Sequence, residues 1–268
     1  MGRKEQMREV AQKHTETMDK MYSEQVKISV SNTHIYGVEF NRENVDGKSA
    51  EFTLEQSYTQ DSVIRNAEKG KVAVLNFASY RHPGGGFING AMAQEEAICH
   101  DSFLYNVIRE FGEYYEWNEA NYNMGLYKNR ALYSPDVYFF SKDGCDFVKA
   151  DVITCAAPNR SVIFKAKRFS EDDNGRALKD RIRFIRDICD TEMVDTLIAG
   201  AFGCGVFAQK PEMVARYFIE LFKDTTVKNV IFAVPPDRNY DAFQKELSNV
   251  SQKYNKTYRR REGLWMTD

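Results

Sequence analysis

A chain of 268 residues with 43% hydrophobic content carries enough apolar material for one sizeable core. Lys plus Arg number 37 against 39 Asp plus Glu, and a net charge of -2 gives no electrostatic footprint for duplex nucleic acid or an anionic membrane, so a phosphate-bearing ligand must be gripped locally. No apolar run reaches the length of a membrane span and the N-terminus lacks the apolar core of a signal peptide, which leads us to expect a cytoplasmic protein.

The opening segment, to about Gln25, is highly charged, with Met7, Val10, Met18 and Met21 spaced to give a helix one apolar edge. It reads as an accessory helix packed on the main domain, or else as a partner-binding helix. Short β-like runs follow at 35–40 and 49–57, then a polar helix that ends near Gly70. "KVAVLNFAS" (71–79) has the continuous apolar, β-branched character of a strand buried on both faces. Ala97, Ile98, Leu104, Val107, Ile108 and Phe111 recur at helical spacing, which starts a helix near Gln94. Beyond a polar stretch rich in Asn and Tyr come strands at 130–140 and 149–158, a helix over 174–190 and a strand running into glycines over 194–207. A helix over 210–224 with Pro211 in its first turn and a strand over 227–236 close the series. Strands alternating with helices argue for an α/β protein: a three-layer α/β/α sandwich with a mixed sheet and an N-terminal helical extension.

Two glycine-rich loops stand where apolar strands end and helices follow, "PGGGFINGA" and "GAFGCGVF". Bare backbone N–H groups at the carboxyl ends of strands are how α/β proteins cradle phosphates. Neither loop is a Walker A motif or a dinucleotide fingerprint. Either alone is equally readable as a tight turn, and the two together favour a ligand cradle. Seven residues after Gly84, Gly85 and Gly86 come Gln94, Glu95 and Glu96. Adjacent residues of a helix diverge by roughly 100°, so Glu95 and Glu96 cannot form the opposed carboxylate pair common among glycosidases. Either they divide the labour, one holding sugar hydroxyls and one meeting the scissile oxygen, or they merely complement the positive end of a helix.

The five cysteines, Cys99, Cys145, Cys155, Cys189 and Cys204, are odd in number and lack CxxC spacing, which disfavours a disulfide framework or a zinc site. His82 and His100 flank the motif without metal spacing and read as loop or helix-surface residues. Tyr114, Tyr115 or Trp117 either stack a base or pack their own loop.

GGG, seven residues, then QEE, preceded by "VLNFAS" and followed by "DVITCAAPN" and "GAFGCGVF", resembles the microbial-type poly(ADP-ribose) glycohydrolases, a catalytic branch of the macrodomain superfamily. The likeness runs from about residue 30 to about residue 236, and it divides the chain into an accessory helix (1–25) and a catalytic domain (26–268). It implies cleavage of the ribose–ribose O-glycosidic bond of poly(ADP-ribose) with release of ADP-ribose and without metal or cofactor. ADP-ribosylated proteins are the implied partners. Glu96 is then the general acid and base, and Glu95 a ligand of ribose hydroxyls. Gly84, Gly85 and Gly86 let the backbone approach ribose and diphosphate, and Gln94 orients the loop. Asn76 and Ser79 shape the floor of the site or touch ribose. In the second loop, running from Gly200 through Val206, Gly203, Cys204 and Gly205 wrap the diphosphate and Phe202 or Phe207 lies against the adenosine or the distal ribose. Cys204 is expected to pack or to offer its N–H rather than act as a nucleophile, because no histidine pairs with it. A non-catalytic ADP-ribose reader has no use for QEE. A hydrolase of mono-ADP-ribosylated protein or of another ADP-ribosyl nucleotide would keep it, and only substrate choice separates that enzyme from the polymer-cleaving one.

Overall fold

The computed structural model describes residues 2–142 and 146–261, with side chains described up to residue 249. Cys145 lies outside the described residues. A seven-stranded mixed sheet forms the middle layer. Its strands are β1 (His34–Tyr36), β2 (Glu51–Gln56), β3 (Val72–Phe77), β4 (Ala131–Phe140), β5 (Phe147–Cys155), β6 (Thr196–Ala199) and β7 (Asn229–Val234), in the order β1-β4-β5-β3-β6-β7-β2. The pairs β5/β3, β3/β6, β6/β7 and β7/β2 are parallel, and β1/β4 and β4/β5 are antiparallel.

The two-residue period of β3 sorts its side chains between two cores. Ala73 and Leu75 face one core, with Leu178 and Ile182 of α8 (Glu171–Thr191), Phe218 of α9 (Pro211–Leu221) and Phe243 of α10 (Arg238–Arg261). Val72 and Val74 face the other, with Ala11 and Met18 of α1 (Arg3–Met21), Val26 of α2 (Ser23–Ser31), Val63 of α3 (Thr59–Asn66) and Ile98 of α4 (Gln94–His100). Leu104 of α5 (Leu104–Ile108) and Tyr114 of α6 (Gly112–Ala120) complete that second core. α7 (Arg160–Ala166) follows β5. The sheet thus carries helices on both faces, as the alternation of elements implied.

Local chemistry explains the departures from the sequence reading. The extension is two helices rather than one, and its boundary falls inside α2. The long helix expected from Gln94 breaks after α4. There Ser102 Oγ donates to the Ile98 carbonyl (2.7 Å) and accepts from Leu104 N–H (3.1 Å), turning the chain so that Phe140 N–H reaches the Asp101 carbonyl (2.8 Å). The aromatic polar stretch is helical, as α6, and buries Tyr114 and Tyr115 in the core. α8 begins on a capping box in which Asp173 N–H meets Ser170 Oγ (3.2 Å) and Ser170 N–H meets Asp173 Oδ2 (2.8 Å).

Candidate active site

At the carboxyl ends of four adjacent parallel strands, β3, β6, β7 and β2, lies a cleft of about 710 Å³. Four strands span roughly 14 Å between the outermost axes, a length suited to an extended dinucleotide. Tyr58, Thr59 and Gln60 line it after β2, and Ala233 and Pro235 at β7. Gly203, Gly205, Val206 and Phe207 line it after β6, and Phe77, Ala78 and Ser79 at the end of β3. Gln94, Glu95 and Glu96 enter from the start of α4, with Gly85 beside them.

The QEE triplet is tied to the end of β3. Gln94 Oε1 accepts from Phe77 N–H (2.8 Å) and its amide donates to the Leu75 carbonyl (3.0 Å), so the side chain replaces a strand partner and fixes where α4 begins. Glu95 accepts from Asn76 Nδ2 (3.2 Å) and Ser79 N–H (2.7 Å). Glu96 accepts from Gly86 N–H (2.8 Å) and, closing the first turn of its own helix, from Ala93 N–H (2.9 Å). Both carboxylates are buried. Burial pushes Glu95 up to about 8, against the opposing pull of the Ser79 and Asn76 hydrogen bonds; the Glu96 charge adds to the rise.

The central glycine explains the bare backbone. Gly85 has φ +59°, and a Cβ there would stand 2.7 Å from Glu96 Oε1 and 2.8 Å from Glu95 Oε2. The two neighbouring carboxylates therefore meet over one naked α-carbon, on the same side of the cleft, as an arrangement that does not need opposed carboxylates requires. Gly84 and Gly86 serve the protein more than a ligand. A Cβ on Gly84 would strike the Tyr105 ring (2.8 Å), and one on Gly86 the Ala91 methyl (2.7 Å). The Gly86 N–H is already spent on Glu96.

In the second loop the residues alternate between cleft and core. Gly203, Gly205, Val206 and Phe207 face the cleft, with Val206 82% exposed. Among the described residues, the amides of Gly205, Val206 and Phe207 donate to no other group of the chain. Three consecutive free N–H groups are what an anion-binding concavity is built from. Phe202 and Cys204 do not join them. Phe202 is fully buried with its ring edge-on to Phe77, and Cys204 is packed in the core with its N–H bonded to the Ala201 carbonyl (3.0 Å). Burial lifts the Cys204 thiol to about 12, so it is packing, and its expected contact with a diphosphate is corrected to support from behind. Gly200 likewise answers a close approach of chain, since a Cβ there would lie 2.6 Å from the Ala233 carbonyl. Asn76 is buried under Glu95 rather than open to the cleft, and its Oδ1 has no partner.

The sequence missed Tyr58, which is 57% exposed on the cleft wall, while Tyr114, Tyr115 and Trp117 lie away from it. Tyr58 follows β2, whose end, Glu55, Gln56 and then Ser57, is polar and gives no signal for it. His82 is exposed on its loop. His100 is half-buried, edge-on to Phe87 at 4.6 Å. Among the described residues no group of three or more His, Cys, Asp or Glu could hold a metal ion, and no helix is long and apolar enough to cross a membrane.

Residues 4–142, just over half the chain, match the profile of the microbial-type PARG catalytic domain, PARG being poly(ADP-ribose) glycohydrolase. The chain belongs to that family. Its fold is that of bacterial members whose structures are solved. It is 27% identical to the Thermomonospora curvata poly(ADP-ribose) glycohydrolase, with a TM-score of 0.79 over 90% of this chain and 99% of that one. The same protein bound to the inhibitor ADP-HPD superposes equally well, at 0.79. The Deinococcus radiodurans enzyme in complex with ADP-ribose is 28% identical, with a TM-score of 0.76 over 84% of this chain and 97% of that one. No curated protein matches the chain by sequence. Membership makes the chain a glycosidic-bond hydrolase of poly(ADP-ribose).

Proposed function

We propose that the cleft holds the terminal ADP-ribose unit of a polymer, with its adenine toward Tyr58 and Pro235, its diphosphate on the free amides of Gly205 to Phe207, and its distal ribose between Phe207 and the two carboxylates. The observation that carries this reading is the convergence of Glu95 and Glu96 over Gly85, one sheet position away from an anion-binding loop. In this reading a proton-transferring pair stands at one end of a cleft whose other end has an exposed aromatic ring.

In this reading Glu96 protonates the departing ribose oxygen as the C1″–O bond breaks and oxocarbenium character grows. Its carboxylate then takes a proton from the water that attacks C1″. The products are ADP-ribose and a chain one unit shorter, and Glu96 ends protonated, ready for the next cycle. Glu95, locked by Asn76 and Ser79, holds hydroxyls of the ribose under attack. Gln94 orients the start of α4, and Gly84 and Gly86 hold the amide that grips Glu96. The fold is that of a macrodomain. Four described cysteines that stand as buried free thiols support a cytoplasmic location.

Incubation with poly(ADP-ribose) and, separately, with a mono-ADP-ribosylated protein, followed by chromatography for released ADP-ribose, tests the reading. Release from the polymer is expected. Release from the mono-modified protein alone would move the scissile bond, and binding without release from either would make the cleft a reading site.

A further inference from the structure

Beside the cleft stands a strained segment that the reaction described above leaves unused. Asn123, Met124, Gly125 and Tyr127 have φ of 43°, 49°, 93° and 59°, four left-handed residues in a stretch of five, three of them not glycine. Such conformations cost of order 1–3 kcal/mol each and persist only where the surroundings impose them. The surroundings here are specific. Tyr127 is only 7% exposed, and its ring is stacked on Tyr80 at 3.9 Å and 9°. Its other neighbours are Tyr122, at 5.4 Å, and Phe207, which it meets edge-on at 6.1 Å and 65°. Tyr80, Tyr127 and Ala156 make a small apolar cluster separate from both main cores, with Tyr122 and Phe207 packed on it.

The same cluster is anchored from two sides. Asn159 caps α7, its Oδ1 accepting from Val162 N–H (3.2 Å). Asn159 N–H donates to the Gly125 carbonyl (2.7 Å), and the next turn of chain returns to the cleft wall through Ser161 N–H to the Phe207 carbonyl (3.2 Å). On the outer side the Arg81 guanidinium sits 5.0 Å over the Tyr122 ring and pairs with Glu119 at 2.6 Å. Among the described residues, Phe207 is thus the one cleft-lining ring that the satellite cluster touches.

We infer that the left-handed 123–127 segment is a brace for the catalytic cleft, and that Tyr127 is a positioning residue that sets the Phe207 ring against the reacting ribose. The inference rests on the placement of that ribose at Phe207 proposed above. A left-handed tyrosine directs its ring into the gap between Tyr80 and Phe207, which is why the segment keeps its strain. A ring that moves by about 1 Å at such a contact costs turnover far more than binding, because alignment of the reacting bond is lost while the diphosphate stays held.

A double-mutant cycle on steady-state polymer hydrolysis tests this, with Tyr127→Leu, Phe207→Leu and both together, alongside Tyr127→Phe and calorimetric binding of ADP-ribose. Tyr127→Leu is expected to lower kcat by about tenfold or more with KM and the ADP-ribose Kd within about threefold, and to add nothing further once Phe207 is Leu. Tyr127→Phe, which keeps the ring, is expected to restore turnover to within about twofold of the parent. Should Tyr127→Leu fail to fold by circular dichroism, Tyr127→Met takes its place in the cycle. If Tyr127→Leu lowers kcat by the same factor in both backgrounds, or weakens ADP-ribose binding as much as turnover, the brace is refuted while Phe207 keeps its place. If Phe207→Leu alone leaves turnover unchanged, the placement of the ribose fails first, and the brace with it.

Discussion

Gly85 concentrates the chemistry of the site in one missing methyl group. A methyl there would meet an oxygen of each carboxylate well inside contact distance, on a backbone whose φ of +59° already disfavours any side chain. Gly85→Ala should therefore fold with a loss of about 1–2 kcal/mol and lose at least about a hundredfold in turnover, read by denaturant unfolding beside a polymer assay. A variant of near-parental activity would show that the carboxylates do not depend on that approach. Glu95 makes a second claim at this scale. Its carboxyl is pushed from 4.5 up to about 8, chiefly by burial, so the folded chain holds this proton more tightly than the unfolded one. The stability that comes with it is fully present below about pH 4.5 and is lost as pH rises through about 8. In thermal unfolding the midpoint should fall less between about pH 5 and pH 8.5 for Glu95→Gln than for the parent, and equal slopes would deny the shift. That GGG and QEE lie together at one end of the cleft was legible in their spacing, because a bare loop before a helix start has few other uses. Which residues of "GAFGCGVF" face the ligand was not. The alternation that hides Phe202 and Cys204 and exposes Gly203 and Phe207 is set by turns closed on Ala201 and Gly205 carbonyls, which leave no periodic trace.

The first helix touches the site at one end, where Arg3 lines the cleft. Its opening turn lies against the catalytic loop, where Gly90, at φ +75°, leaves room for the Lys4 carbonyl; a Cβ would stand 2.3 Å from that oxygen. Gly90→Ala should lift the first turn of α1, speeding amide exchange over residues 5–8 and lowering the unfolding midpoint, with exchange elsewhere in the helix less affected. Unchanged exchange there would mean that the contact is incidental. Of the apolar edge read in α1, Met18 is buried and Met7 half-buried, while Val10 and Met21 are half exposed or more; the second buried residue, Ala11, lies outside that edge. The break after α4 and the helical α6 were not visible. One depends on a serine hydroxyl that satisfies two backbone groups at once, the other on aromatic side chains whose burial is decided by the neighbouring sheet.

Across the whole molecule, the order of strands turns local motifs into one site. Parallel β3, β6, β7 and β2 end on the same edge, so a loop near residue 58, the QEE helix and a loop near residue 205 share a cleft although nearly 150 positions separate the first from the last. Alternating elements announced the layers, but only the long-range pairings fix the order, and those are invisible to periodicity. The central claim, that this cleft is a hydrolytic site whose proton passes through Glu96, is tested most directly by purified Glu96→Gln beside the parent, with ADP-ribose release from poly(ADP-ribose) and ADP-ribose binding measured on both. We expect the variant to bind ADP-ribose as the parent does while its turnover falls by about 10²–10⁴-fold. A variant that hydrolyses the polymer at near the parental rate would contradict the assignment of the reaction to that carboxylate.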